Sequence, residues 1–206
     1  MDSYRTVKQE STVEFVERRS RFIGRCRPVT TEEEALAFLN EIRSRHWDAS
    51  HNVYGYSLRE GQLRRYSDDG EPQGTAGMPV LDVLSKSETC DAILVVTRYF
   101  GGVLLGAGGL VRAYSHCASL ALEAAGVVTM RRCLKGELAC SYNQYGRIDA
   151  LIPACGGRVE QADFLDHVRL AFFLPEENVG QFCTQLRDAT CGEVEACMGE
   201  AFYTAL

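Results

Sequence analysis

The sequence predicts an α+β protein built from two consecutive units, residues 1–132 and 133–206. Three observations lead there. A chain of 206 residues suffices for one large core or two small ones. Residues 1–132 carry 17 basic and 17 acidic side chains, whereas residues 133–206 carry 5 and 11, so the whole net charge of −6 falls on the second segment. After Arg131-Arg132 a fresh series of periodicities begins in the order βαββαβ, that of a ferredoxin-like unit.

The elements of the first segment read in order. Val13 to Val29 alternates loosely, as one or two strands do. Thr30-Thr31-Glu32-Glu33-Glu34 opens a helix: Thr30 with Glu33, or Thr31 with Glu34, fits a capping box, and the acidic run suits the positive helix start. Ala35, Phe38, Leu39 and Ile42 form its buried face. Val53–Leu58 and Gln62–Tyr66 read as a hairpin around Glu60-Gly61. Ala76–Leu84 is a short helix with Thr75 as its cap and Pro79 in its first turn. Ala92–Phe100 is a continuous apolar strand, central in a sheet. Leu110–Ala125 is the clearest helix, with Leu110, Tyr114, Cys117, Ala121 and Ala124 on one face and Gly126 ending it.

In the second segment, Gly136–Tyr142, Arg158–Ala162, Val168–Leu174 and Glu193–Met198 read as strands. Asn143–Cys155 and Pro175–Ala189 read as helices, the latter with Val179, Phe182, Cys183 and Leu186 at helical spacing.

Two stretches stand out chemically. Tyr66 to Pro79 holds an acidic turn, Asp68-Asp69-Gly70-Glu71-Pro72, running into Gly74-Thr75-Ala76-Gly77. Val95 to Tyr114 holds Thr97-Arg98-Tyr99-Phe100-Gly101-Gly102 and then Gly106-Ala107-Gly108-Gly109-Leu110-Val111-Arg112. Five glycines among residues 101–109 mean repeated positive φ or close approach by another group.

Together these stretches closely resemble the IMPACT family, in particular its bacterial two-domain YigZ type, and Arg21-Phe22-Ile23-Gly24 and Ala49-Ser50-His51-Asn52-Val53-Tyr54 add weaker support. The resemblance implies a first domain with the fold shared by elongation factor G domain IV and the GHMP kinases. It implies a second, ferredoxin-like domain similar to elongation factor G domain V. It also implies regulation of translation through protein contacts, or contact with ribosome or RNA.

The residues themselves leave several readings open. A strand–glycine–helix passage exposes N–H groups to an anion or phosphate at the start of the Leu110 helix, with Arg98 and Arg112 adding charge; tight strand–helix packing explains the same glycines. The passage is neither a Walker loop nor a Rossmann fingerprint. Asp68, Asp69 and Glu71 can bind a hard cation, form an ordinary turn, or pair with Arg98 or Arg112 and join the two stretches into one surface. His51 can serve as a general base. Tyr54, Tyr56, Tyr66, Tyr99 and Phe100 form either a stacking platform for RNA or sheet core. Arg18, Arg19 and Arg21, with Arg25 and Arg27, are a guarded strand edge or a phosphate-backbone footprint.

The candidate binding residues are therefore Arg18, Arg19, Arg21, His51, Asp68, Asp69, Glu71, Thr75, Arg98, Tyr99, Gly101, Gly102, Gly106, Gly108, Gly109 and Arg112. No catalytic nucleophile signature is found, and no cofactor or metal is expected. Nine cysteines without C-x-x-C spacing predict reduced thiols in a cytoplasmic protein, and no apolar run is long enough to span a bilayer. The expectation is a non-enzymatic binding protein of translation. The alternative is an enzyme that acts on a phosphorylated small molecule at the glycine loop.

Overall fold

The computed structural model describes residues 3–205, which divide into two compact units: residues 4–128, and residues 129–205 with Ser3. The first holds β1 (Ser3–Val7), β2 (Ser11–Glu17), β3 (Ser20–Pro28), α1 (Glu32–Arg45), β4 (His51–Ser57), β5 (Arg64–Ser67), α2 (Gly77–Lys86), β6 (Ala92–Tyr99) and α3 (Ala107–Ala125). Its sheet runs β2-β3-β6-β4-β5 with antiparallel neighbours. The apolar strand β6 lies at its centre, buried from Ala92 to Arg98.

This sheet is covered on both faces. Side chains alternate across a strand, so Phe22, Cys26, Leu94 and Val96 pack against α2 and α3, whereas Ile93 and Val95 pack against Phe38, Leu39 and Ile42 of α1. The buried residues of α1 are the four that its period predicts. Thr31 accepts from the Glu34 N–H (3.2 Å), while the Glu34 carboxylate bonds the backbone and hydroxyl of Thr30, so the box straddles both threonines. In α3 the buried stripe ends on Ala125, and Ala124 faces outward.

The second unit contains β7 (Val127–Cys140, which starts two residues before the division), α4 (Tyr142–Ala154), β8 (Arg158–Phe164), β9 (Val168–Pro175), α5 (Val179–Thr190) and β10 (Cys197–Ala205). Antiparallel ladders join β10 to β7, β7 to β9 and β9 to β8. Phe172 of β9 meets Phe182 of α5 at 5.2 Å between ring centres, within a core that also holds Ile148 and Ile152 of α4.

Several boundaries differ from the sequence reading: β7 starts at Val127 rather than Gly136, β1 has no counterpart there, and three differences in the second unit stand out. Strand β7 stops at Cys140 because Gln144 accepts from the backbone N–H and hydroxyl of Ser141, which turns the chain into α4. A single 3₁₀ turn, Glu176–Asn178, precedes α5. The last strand begins at Cys197 rather than Glu193, because Glu193 and Val194 still bond Thr190 at the end of α5.

Candidate functional site

The acidic turn follows β5 and folds over the end of β6. Its three carboxylates have three separate tasks. Asp68 caps α2 from a distance: Oδ1 accepts from the N–H groups of Ala76 (3.0 Å) and Gly77 (2.8 Å), and Oδ2 from Gly74 (2.9 Å). Burial pushes the Asp68 carboxyl up, but these three N–H groups prevail and hold it below the usual range. Thr75, the cap expected from sequence, instead donates its hydroxyl back to the Pro72 carbonyl (2.7 Å). The correction has a simple cause. A carboxylate satisfies three orphan donors at once, where a hydroxyl satisfies one.

Asp69 sits at φ +47° and ties the turn to α1 and β4. It accepts from Arg43 Nη2 (2.9 Å) and from the Asn52 N–H (2.6 Å). Its carbonyl lies 2.8 Å from His51 Nδ1, so that nitrogen carries the ring proton.

Glu71 points inward. Its Oε1 accepts from Arg98 Nη1 (2.6 Å) and from the Tyr114 hydroxyl (2.8 Å), with His51 Nε2 3.8 Å away. The side chains of Glu71 and Arg98 are only 4% and 6% exposed, and Tyr114 is fully buried. Burial, followed by the charge and hydrogen bond of Glu71, keeps the Tyr114 phenol far above its ordinary range, hence neutral and donating. Arg98 also reaches Ser20 Oγ (3.3 Å) and lies between the rings of Phe22 and Phe100, 5.5 and 5.4 Å from their centres. One carboxylate thus joins the acidic turn, the end of β6 and the second turn of α3. Sequence reasoning missed Tyr114, Ser20 and Arg43 as partners; Tyr114 reads as core, and nothing local marks the other two.

The glycine passage begins where β6 ends. At Gly101 a Cβ would lie 2.0 Å from the Arg19 carbonyl oxygen, so only glycine fits against the β2–β3 turn, where Arg18 and Arg19 both take positive φ. Gly102 and Gly106 also have positive φ, +81° and +73°, and Gly106 turns the chain into α3. Between them the loop presents Val103 and Leu104 to solvent, Leu104 at 81% exposure, and Phe100 is exposed just before them. A Cβ at Gly108 would meet Arg112 Nη1 at 3.6 Å, an ordinary contact, and Gly109 packs on Leu105. Exposed Arg112 shares a shallow cavity of about 210 Å³ with Arg18, Gly109, Leu105, Phe15 and His116 at the start of α3.

Other expected members lie elsewhere. Tyr99 points to the α1 face of the sheet, bonded to His46 and Asp48. Arg21 pairs with Tyr99 in register and forms a two-pronged ion pair with Glu14. The five aromatics do not form one platform: Tyr56 is buried and bonded to Glu32, Tyr54 stacks on it at 6.1 Å, and only Tyr66 and Phe100 are exposed.

Comparison with known proteins follows this division. Residues 18–122 match the model of the Impact N-terminal domain, and residues 138–193 match a domain of unknown function, DUF1949. The chain is 36% identical over 204 residues to the IMPACT family member YvyE of Bacillus subtilis, covering 98% of this chain and 94% of that protein. It is 37% identical over 183 residues to the IMPACT family member YigZ of Escherichia coli, covering 86% and 89%. A crystal structure of a hypothetical protein superposes with a TM-score of 0.62 at 34% identity, covering 97% of this chain and 98% of that one. Matched on its first unit by the family model and along nearly its whole length by these relatives, the chain belongs to the IMPACT family.

Proposed function

We propose that the protein is a non-enzymatic regulator of translation that docks on the ribosome, its RNA or a translation-linked protein through the glycine-loop face. The observation that carries this reading is the contrast between the two layers of the site. Beneath, the three carboxylates are consumed by structural bonds, Glu71 in a buried ion pair with Arg98 and the half-buried Asp68 and Asp69 on backbone N–H groups and Arg43. Above, Phe100, Val103 and Leu104 stand in solvent on the loop that leads into α3, and exposed Arg112 of that helix lines an open cavity with Leu105 and Gly109. Exposed large apolar groups next to an arginine are the composition of a contact surface rather than of an enclosing pocket.

The family supports the same reading through the implied likeness of the two domains to elongation factor G domains IV and V. On this reading the protein is cytoplasmic. The exposed start of α3, with Arg112 and Arg18 beside it, accepts an anion such as an RNA phosphate or a partner carboxylate. Among the described residues no helix is long and apolar enough to cross a membrane.

Binding to RNA requires a steep loss of affinity with salt. The test is ribosome and RNA binding across a salt series by wild type and by the Arg18→Ala, Arg19→Ala, Arg112→Ala triple variant, which removes the arginines at the glycine passage and leaves Arg21 on the other face. The expected result is weaker binding with a flatter salt slope. Unchanged binding by the folded triple variant moves the contact away from these arginines.

A further inference from the structure

The cavity of about 210 Å³ between β2 and α3 has a lining of two kinds. Part of it is apolar: Phe15 of β2, Leu105 just before α3, and Ala113 of α3. Packing holds this part in place. The Phe15 ring stacks on Phe22 and meets the edge of His116, each at 5.1 Å between ring centres, and Leu105 and Ala113 are buried. The rest of the lining is polar and exposed, with Arg18, Arg112 and His116 against a single acid, Glu17.

The fold does not use up these cations. Glu17 lies 4.0 Å from Arg18, an exposed pair of little strength. Arg112 has no acidic partner among the described residues. Its Nη1 lies 3.6 Å from the place of a Cβ on Gly108, so the guanidinium folds back over the first turn of α3. A guanidinium fork bonds a carboxylate through two parallel N–H groups. An apolar hollow beside such a fork suits a segment that carries an apolar side chain next to a carboxylate. Charge turns the choice from RNA to protein. A nucleic-acid binder shows a net basic domain, yet residues 1–132 carry 17 basic and 17 acidic side chains, and Glu17 stands in the lining itself. The Phe15 ring already stacks on Phe22, which takes one of the faces that a base would use.

We propose that this cavity binds a short acidic and apolar segment of a partner protein. A side chain of leucine or phenylalanine size sits against Phe15, Leu105 and Ala113, and an adjacent carboxylate pairs with Arg112. The proposal rests on the glycine-loop reading above and narrows its partner to a protein. The two fail separately: comigration with ribosomes tests that reading, whereas peptide binding to the isolated chain tests the cavity.

The test titrates the isotope-labelled full chain with the blocked peptide Glu-Leu-Phe-Glu and follows backbone amides by two-dimensional NMR. Blocked Gln-Leu-Phe-Gln and Glu-Ala-Ala-Glu remove the charge and the apolar anchor in turn, and a short oligouridylate represents RNA. Shifts are expected at Leu105, Gly109, Arg112, Ala113 and His116, with a Kd of about 1 mM or below for Glu-Leu-Phe-Glu. Each control peptide should bind about tenfold more weakly, the loss of one good contact. Arg112→Gln, at an exposed position, should no longer distinguish the Glu peptide from the Gln peptide. The comparison of peptides on wild type needs no variant, so it stands whatever the fold of Arg112→Gln. The proposal fails if Glu-Leu-Phe-Glu moves none of these amides at about 10 mM, or if a folded Arg112→Gln still prefers the Glu peptide as wild type does. It also fails if oligouridylate shifts the same amides at lower concentration than the peptide, which would give the cavity to RNA.

Discussion

Removing the Glu71 carboxylate should damage the fold far more than its place in an acidic turn suggests. In Glu71→Ala the Arg98 guanidinium stays buried with Ser20 Oγ as its remaining partner, since its Nε already has none. Tyr114 loses its acceptor as well. Breaking a buried pair from one side costs about 3–5 kcal/mol, and both side chains are too buried for solvent screening to reduce it. With a urea slope of roughly 2 kcal/mol per molar, the midpoint falls by about 1.5–2.5 M. Replacing both partners by apolar residues, Glu71→Leu with Arg98→Met, should recover most of that loss, because no charge is left stranded. Tyr114→Phe should cost only about 1 kcal/mol. Urea unfolding followed by circular dichroism, with hydrogen exchange of peptides from residues 4–128, reads the first unit separately. A midpoint shift below about 0.3 M in Glu71→Ala, or a double variant no more stable than the single one, would refute the reasoning.

Asp68 sets an acid limit. Its carboxyl is held below the unfolded value, so its contribution is complete above about pH 4 and is lost as pH falls through the lower folded value. Urea midpoints between about pH 2.5 and 5 should drop more steeply in wild type than in Asp68→Asn; parallel profiles would remove Asp68 from the cause. Gly101→Ala should unfold or distort the β2–β3 turn, whereas Gly108→Ala, whose Cβ would make only an ordinary 3.6 Å contact with Arg112 Nη1, should stabilise α3 by about 0.5–1 kcal/mol. Thermal midpoints of the two variants check the contrast, and equal effects would contradict it. Buried Cys26 and Cys117, each pushed up to about 12 by burial, should resist alkylation in the native protein, while exposed Cys191 and Cys197 react first. Mass spectrometry of brief iodoacetamide labelling gives the order.

What the sequence displays and what it hides separate along physical lines. The buried face of α1 and the central place of β6 follow from local periodicity, which a linear pattern preserves. The ends of elements are less visible, because a boundary is fixed by whichever group captures the last free donors. Asp68 captures α2 from eight and nine residues upstream, and Gln144 ends β7 from inside the next helix. The partners of Glu71 lie 27 and 43 residues along the chain, so only the charge balance hinted that the acidic turn needs an arginine. Tyr99 and Arg98 are adjacent in the motif but, as strand neighbours, they serve opposite faces of the sheet. Reading them as one site ignores the alternation of side chains along a strand.

The glycine-loop face is tested most directly by comigration with ribosomes. Wild type and a variant carrying Leu104→Asp and Arg112→Ala, both exposed positions, are run through sucrose gradients from lysate with and without nuclease, after circular dichroism shows equal folds. The expected result is wild type in ribosomal fractions, or in a nuclease-resistant complex with a translation-linked protein, and the variant free at the top of the gradient. Identical migration of the two folded proteins would contradict the assignment of this face.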